Sequence, residues 1–305
     1  MAVERCRFFL AGGVLPSLLV PSISSLPAAL YSVLAFIVWG ASDFAGGCGS
    51  RRTNAFVLTA FAHLCAFVVM LAVALVWHGA FPDRASILWA LAAGAIGGFA
   101  LAIFYGALAS GQMGLSAPIA ALLGAAIPTL VDIALEGAPR RWSVAGFALA
   151  ILAIWLITRP DSQTATGAAG RPKGIATAAL AGVGFAGFYL CVHQASGSPL
   201  WIAVISRVGS FTATSLAVIA TRASLKLDVP SAWLGVLAGV FDISASALFI
   251  YASRRGRLDE AVVITSLYPA VTVLLARIFL KERFGWWKIV GILAALAAVP
   301  LIAAG

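Results

Sequence analysis

Five ionisable residues stand inside long apolar stretches of this 305-residue chain: Asp43, Asp132, Arg207, Asp242 and Arg277. A charged side chain in such surroundings costs at least about 2.5–3.5 kcal/mol at the centre of a bilayer. It must therefore meet an opposite charge, a hydrogen-bond donor or a wet cavity. A buried carboxylate that faces a cavity can hold a proton or the cationic group of a solute. Asp242 lies near the middle of its apolar run and Asp43 toward the later end of the first one. These two are the candidates for such coupling or binding, with an interhelical hydrogen bond or ion pair as the structural alternative.

Aromatic residues and prolines form the next set. Trp39, Tyr105, Tyr251 and Tyr268 carry an apolar body and a polar tip, so they could line an amphipathic pocket. Anchoring at the membrane surface is the competing reading for Tyr105 and Tyr251, which sit near the ends of their runs. Pro118, Pro128 and Pro269 each remove a backbone donor and free a carbonyl, which marks a hinge or a packing kink. The histidines and the four cysteines share no metal-ligand spacing. No nucleophile–base set or Walker-type phosphate loop is present. These residues point to neither an enzyme nor a bound metal or cofactor.

The elements that must position these residues follow from composition. Hydrophobic residues make up 62% of the chain and charged residues only 10%, with a mean hydropathy of +1.03. Soluble domains carry about 25% charged residues, so the solvent here is lipid. A membrane β-barrel would need short alternating segments, whereas these runs are unbroken and rich in Ala, Leu and Gly. The net charge of +9 belongs mainly to Lys and Arg between runs, where they orient helices. It does not indicate nucleic acid.

Breaks at charges and at Gly, Pro and Ser clusters predict ten spanning helices, near 30–48, 55–77, 86–108, 113–135, 142–158, 174–193, 200–220, 232–252, 261–280 and 286–304. Residues 159–173, rich in Thr, Gly and Pro, read as a linker. The flanking halves resemble each other. Tyr105 and Tyr251 are 146 residues apart, as are Glu136 and Glu282, in a chain with only five Tyr and four Glu. The fold expected is an all-α membrane protein of ten transmembrane helices in two five-helix repeats, 30–158 and 174–303. An odd number of spans inverts the second copy relative to the first. Such a pair can form two related states, one open to each side of the membrane, which is the geometry of alternating access. Arg277 aligns with Val131 at the same offset, so Asp132 and Arg277 occupy neighbouring equivalent positions and are expected to pair across the pseudo-two-fold axis. Residues 1–29 form an N-terminal extension with signal-like and proline-rich features. Lys and Arg are nearly balanced between the two sides and decide no orientation.

Particular segments resemble a known family. Trp39-Gly-Ala-Ser-Asp43-Phe-Ala-Gly-Gly followed by Ser50-Arg-Arg resembles the opening helix of bacterial EamA-type members of the drug/metabolite transporter superfamily. Tyr105-Gly-Ala-Leu-Ala-Ser-Gly-Gln-Met-Gly-Leu-Ser-Ala-Pro118 is similar to that family's junction between its third and fourth helices. Ser266-Leu-Tyr-Pro269 through Leu280-Lys-Glu282-Arg283 is similar to its helix ending in a Leu-x-Glu-Arg-like sequence. The first copy departs from this pattern, with Leu135-Glu136-Gly137 at the equivalent position. The resemblance implies a multi-pass protein of the plasma (bacterial inner) membrane with both termini cytoplasmic. It implies secondary transport, often export, of amino acids or other small metabolites from a cavity between the halves. Small multidrug transporters of the superfamily depend on a carboxylate in their first helix. The expected partners are the lipid bilayer, a small-molecule substrate and protons. Proton-coupled multidrug efflux and a non-transporting membrane scaffold or sensor are the alternatives. The sequence sets no oligomeric state.

Overall fold

The computed structural model describes residues 27–77, 79–109, 113–157, 175–279 and 285–303. The linker 159–173 and residues 1–26 of the expected extension lie outside these. The first helix begins at Ala28, inside the stretch read from sequence as an extension.

Every described regular element is an α-helix. They are α1 (Ala28–Gly49), α2 (Ala55–Trp77), α3 (Arg84–Ala109), α4 (Met113–Glu136), α5 (Arg141–Ile157), α6 (Ile175–Gln194), α7 (Pro199–Ala220), α8 (Val229–Ser253), α9 (Leu258–Thr265), α10 (Tyr268–Phe279) and α11 (Trp286–Ala303). Helices are the natural outcome, because lipid offers no partner for a backbone N–H or C=O and a helix satisfies both internally. Eight helical segments are long and apolar enough to cross a membrane, α9 and α10 together counting as one, and the apolar helices at 141–156 and 289–302 are shorter. The helix ends fall where polar caps resume. Asn54 Oδ1 accepts from Phe56 N at the start of α2, Asp83 Oδ1 from Ser86 N at the start of α3, and Asp228 Oδ1 from Ser231 N at the start of α8. A capping oxygen satisfies a helix donor that has no intrahelical acceptor.

The ninth span departs from the sequence expectation of one helix over 261–280. It is broken at Ser266–Leu267, with Pro269 in the first turn of α10. Proline fits an opening turn because the N–H it lacks has no intrahelical acceptor there. In α4, Pro128 is buried within a continuous helix. Pro118 also lies in α4, but its side chain is outside the described residues.

Packing between the halves has a symmetry of its own. Exchanging each span for its equivalent five spans on turns α1 against α8 into α6 against α3, and α3 against α7 into α8 against α2. It turns α4 against α6 into α9 and α10 against α1. The pairs α5 with α11 and α2 with α7 map onto themselves. All of these are extensive contacts in the structure. Close approach depends on glycine at equivalent places. A Cβ on Gly94 would fall 1.8 Å from the carbonyl oxygen of Ser206 in α7, and one on Gly239 would fall 2.1 Å from that of Ala62 in α2. Small residues at such crossings let backbones meet, and Ser210 Oγ uses the space to donate to Gly94 O at 2.8 Å.

The chain alternates direction, so the start of α1, the end of α8 and the start of α9 meet at one face, called here the first face. Arg255 of the α8–α9 turn reaches Tyr31 of α1 there. At the opposite face, Thr53 after α1 donates to Lys226 O before α8 at 2.7 Å.

Candidate functional site

The helices converge on a cavity of about 50 Å³ midway along their length. Trp39 and Asp43 of α1 stand one turn apart, and one turn (i, i+4) places both on the same face. Asp242 and Ser246 have the same spacing on α8. His63 comes from α2, Arg207 from α7, Tyr268 from the first turn of α10, and Phe185, Phe188 and Tyr189 from α6. Gly97, Gly98 and Leu101 of α3 complete the wall, with Gly97 packed against Phe188 and Gly98 against Ser210.

Asp242 is fully engaged. Trp39 Nε1 donates to its Oδ1 at 2.9 Å, and Arg207 Nη1 donates to its Oδ2. His63 Nε2 lies 4.0 Å from the same Oδ2. Arg207 Nη2 approaches Ser246 Oγ at 3.4 Å, and that hydroxyl donates to Asp242 O at 2.8 Å. An ion pair out of water needs such additional bonds, because the loss of hydration otherwise outweighs the attraction between the charges.

Other polar groups around the same space are unspent. Asp43 is buried and lines the cavity, and its carboxylate accepts no hydrogen bond from any described residue. Both ring nitrogens of His63, Nε of Arg207 and the hydroxyl of Tyr268 are buried without a hydrogen-bond partner among the described residues. Leaving a buried donor or acceptor unmade costs about 1–3 kcal/mol, so a polar guest in this cavity has several groups to satisfy.

Aromatic rings form one wall. The Trp39 ring lies 5.9 Å from Tyr189 and 5.8 Å from Phe249, and Tyr189 lies 4.7 Å from Phe249. Phe104 sits behind, edge-on to Phe185 at 5.5 Å and to Tyr268 at 6.3 Å. Such edge-to-face pairs set ring positions as well as burying apolar area.

The structure therefore brings Trp39, Asp43, Asp242 and Tyr268 together, and it places two other sequence candidates elsewhere. Tyr105 is fully buried outside the cavity lining, its hydroxyl 3.1 Å from Ser42 Oγ, which donates to Ala238 O at 2.9 Å. It clamps α1 to α3 and α8. Tyr251 stacks on Tyr31 at 5.5 Å near the first face, beneath the Arg255 guanidinium.

The expected pairing of Asp132 with Arg277 is corrected. Asp132 Oδ2 accepts from Asp259 N at 3.0 Å and lies 3.8 Å from Arg257 Nη2. Arg277 is exposed in the last turn of α10. Asp259 and Arg277 stand at opposite ends of the ninth span, in the first turn of α9 and the last turn of α10. Inversion is the physical reason: it sends the ends of equivalent helices to opposite faces.

The sequence reading did not foresee the roles of His63 and Arg207 in this cavity. Arg207 was visible as an intramembrane charge, but nothing in its spacing names Asp242 as its partner. Among the described residues no group of His, Cys, Asp and Glu is arranged to hold a metal ion.

Comparison with known proteins agrees with this architecture. Residues 172–304 match the model of the EamA-like transporter family. Solute carrier family 35 member G1 of Mus musculus is 42% identical over 66 residues, a match that spans 22% of this chain and only 18% of the mouse protein. A crystal structure described only as that of a protein superposes with a TM-score of 0.70 at 16% identity, covering 90% of this chain and 95% of the other. That likeness concerns the fold alone. The second half of the chain is thus similar to the EamA-like transporter family, and its apolar helices have the length and composition of membrane spans.

Proposed function

We propose that this protein exports amino acids or other small metabolites by alternating access between residues 30–158 and 174–303, and that Asp43 meets the cationic group of the solute or a coupling proton. The observation that carries this reading is the difference between the two cavity carboxylates. Asp242 is neutralised by Arg207 and held by Trp39, whereas Asp43 has no partner among the described residues. The lining holds two carboxyl groups, Asp43 and Asp242, and one guanidinium, Arg207, so a charge on Asp43 has no guanidinium of its own in the wall. A membrane-buried site balances such a charge with a proton or a bound cation. Tyr268, with its unspent hydroxyl, is a second contact for the solute, and Trp39 supplies both a ring face and the bond that fixes Asp242.

Export and a bacterial inner membrane with both termini in the cytoplasm are part of the same proposal and rest on the family resemblance. A comparison of solutes released by expressing and non-expressing cells tests it. The expected result is a selective rise of one or a few metabolites in the medium. Unchanged release, with expression verified, would contradict export.

The ring-lined wall around Asp43 favours one other reading, proton-driven efflux of lipophilic cations, because aromatic faces attract cations. Tetraphenylphosphonium separates the two. Efflux of this cation in place of metabolite release would establish the second reading.

A further inference from the structure

The α8–α9 turn reads Arg254-Arg255-Gly256-Arg257, and each arginine reaches a different part of the first face. Arg254 donates to the carbonyl oxygens of Ala195 and Gly197 between α6 and α7. Arg255 Nη1 donates to Tyr31 Oη at 2.7 Å, and its guanidinium lies 5.2 Å from the Tyr31 ring and 5.3 Å from that of Tyr251. Arg257 has the most partners. It binds Asp259 through Nε at 3.1 Å and Nη2 at 3.0 Å, and it donates to Gly137 O at 2.9 Å. Its nitrogens lie 3.8 Å from Asp132 Oδ2 and 3.9 Å from Glu136 Oε2. Asp132 itself accepts from the N–H of Asp259. The last turn of α4, in the first half, is thereby joined to the start of α9, in the second.

These contacts sit on the elements that form the cavity. Tyr31 lies eight residues before Trp39 on α1, and Asp259 lies nine residues before Tyr268. The repeat offset adds an asymmetry. Positions equivalent to Arg255, Arg257 and Asp259 in the first half are Ala109, Gly111 and Met113, and the position equivalent to Asp132 in the second half is Ile278. Of the charged residues in this network, only Glu136 has its own type at the equivalent position, Glu282.

We infer that Arg257 is a gating residue: its guanidinium latches α4 to α9 and closes the first face of the cavity, and breaking that latch admits solute from this face alone. The inference rests on the alternating-access reading above. It makes the two ends of an inverted repeat unequal, since opening the first face requires several charge-assisted bonds to separate and opening the other does not involve these bonds.

The test is thiol accessibility in the full chain, with the four native cysteines replaced by serine and a reporter Leu101→Cys in the cavity wall. A membrane-impermeant maleimide is applied to sealed vesicles of each orientation. Arg257→Gln is expected to raise the labelling rate about tenfold from one side only, the scale set by losing charge-assisted bonds. Arg257→Lys is expected to fall between Arg257→Gln and the parent. Arg52→Gln, at the opposite face, is expected to leave first-face labelling unchanged. Should Arg257→Gln not fold, Glu136→Gln leaves the arginine in place and is expected to give a smaller rise from the same side. Labelling equal to the parent in every folded latch variant, or rising equally from both sides, would overturn the latch. The assay needs no solute, so its failure is separable from a failure of solute release.

Discussion

The indole N–H of Trp39 donates to Asp242 Oδ1 at 2.9 Å, joining residues 203 positions apart. One bond thus ties the first helix of one half to the third helix of the other, beside the Arg207 ion pair. It engages Asp242, whereas the Asp43 carboxylate accepts no hydrogen bond from any described residue.

The Asp242–Arg207 pair is expected to be a stability element. Arg207→Leu strands a buried carboxylate and should cost about 3–5 kcal/mol, whereas the double variant Arg207→Leu/Asp242→Leu should recover a large part of that loss. Unfolding in detergent, followed for both single variants and the double, measures it. A double variant less stable than either single would contradict this assignment.

The tyrosines separate structural from solute-facing roles. Tyr105→Phe breaks the contact with Ser42 and should lower stability by about 1 kcal/mol, with little effect on solute affinity. Tyr268→Phe removes a buried hydroxyl that has no described partner. It should leave the melting temperature unchanged or slightly raised while changing the apparent affinity for the solute. Melting curves and concentration-dependent flux on the two variants distinguish the roles.

Glycine replacements should differ by position. Gly94→Ala and Gly239→Ala drive a methyl into the backbone of the facing helix and should each cost at least about 1–3 kcal/mol, the usual range for overpacking. Gly106→Ala meets only the Ala55 Cβ at 3.7 Å. Alanine's higher helix propensity should there stabilise by up to about 1 kcal/mol. Thermal unfolding of the three variants checks the order.

The exposed caps predict an acid limb of stability. Hydrogen bonds from Ser231 hold the Asp228 carboxyl below its ordinary value of 3.8, and those from Ser86 do the same for Asp83. A lowered folded-state value means that the contribution is complete above about pH 4 and is lost as pH falls through the folded-state value. The difference in melting temperature between wild type and Asp228→Ala should therefore be flat above about pH 5 and vanish on further acidification. A difference that grows on acidification would contradict the cap.

Helix positions were legible because lipid demands long apolar runs bounded by polar caps: the expected outer ends lie within three residues of the observed ones, and nine of the ten spans are single helices. The exception is the ninth, where a break at Ser266–Leu267 occurs inside a run whose hydropathy never falters. Partners across the bundle were far less legible. These helices are apolar on every side, so periodicity does not say which face of α2 turns His63 inward or which face of α7 presents Arg207. The repeat gave the right symmetry but the wrong partner for Asp132, because equivalence in sequence becomes separation in space once one copy is inverted. Arg257 lies outside the apolar runs and looked like a loop charge, yet it binds both halves.

The most direct test of the account is counterflow of the released solute in proteoliposomes containing wild type, Asp43→Asn or Asp242→Asn. The account predicts that Asp43→Asn folds normally but loses flux by at least about tenfold, the scale of one lost charge-assisted contact. For Asp242→Asn it predicts that most of the loss comes with reduced stability. Wild-type flux in Asp43→Asn would contradict the central claim.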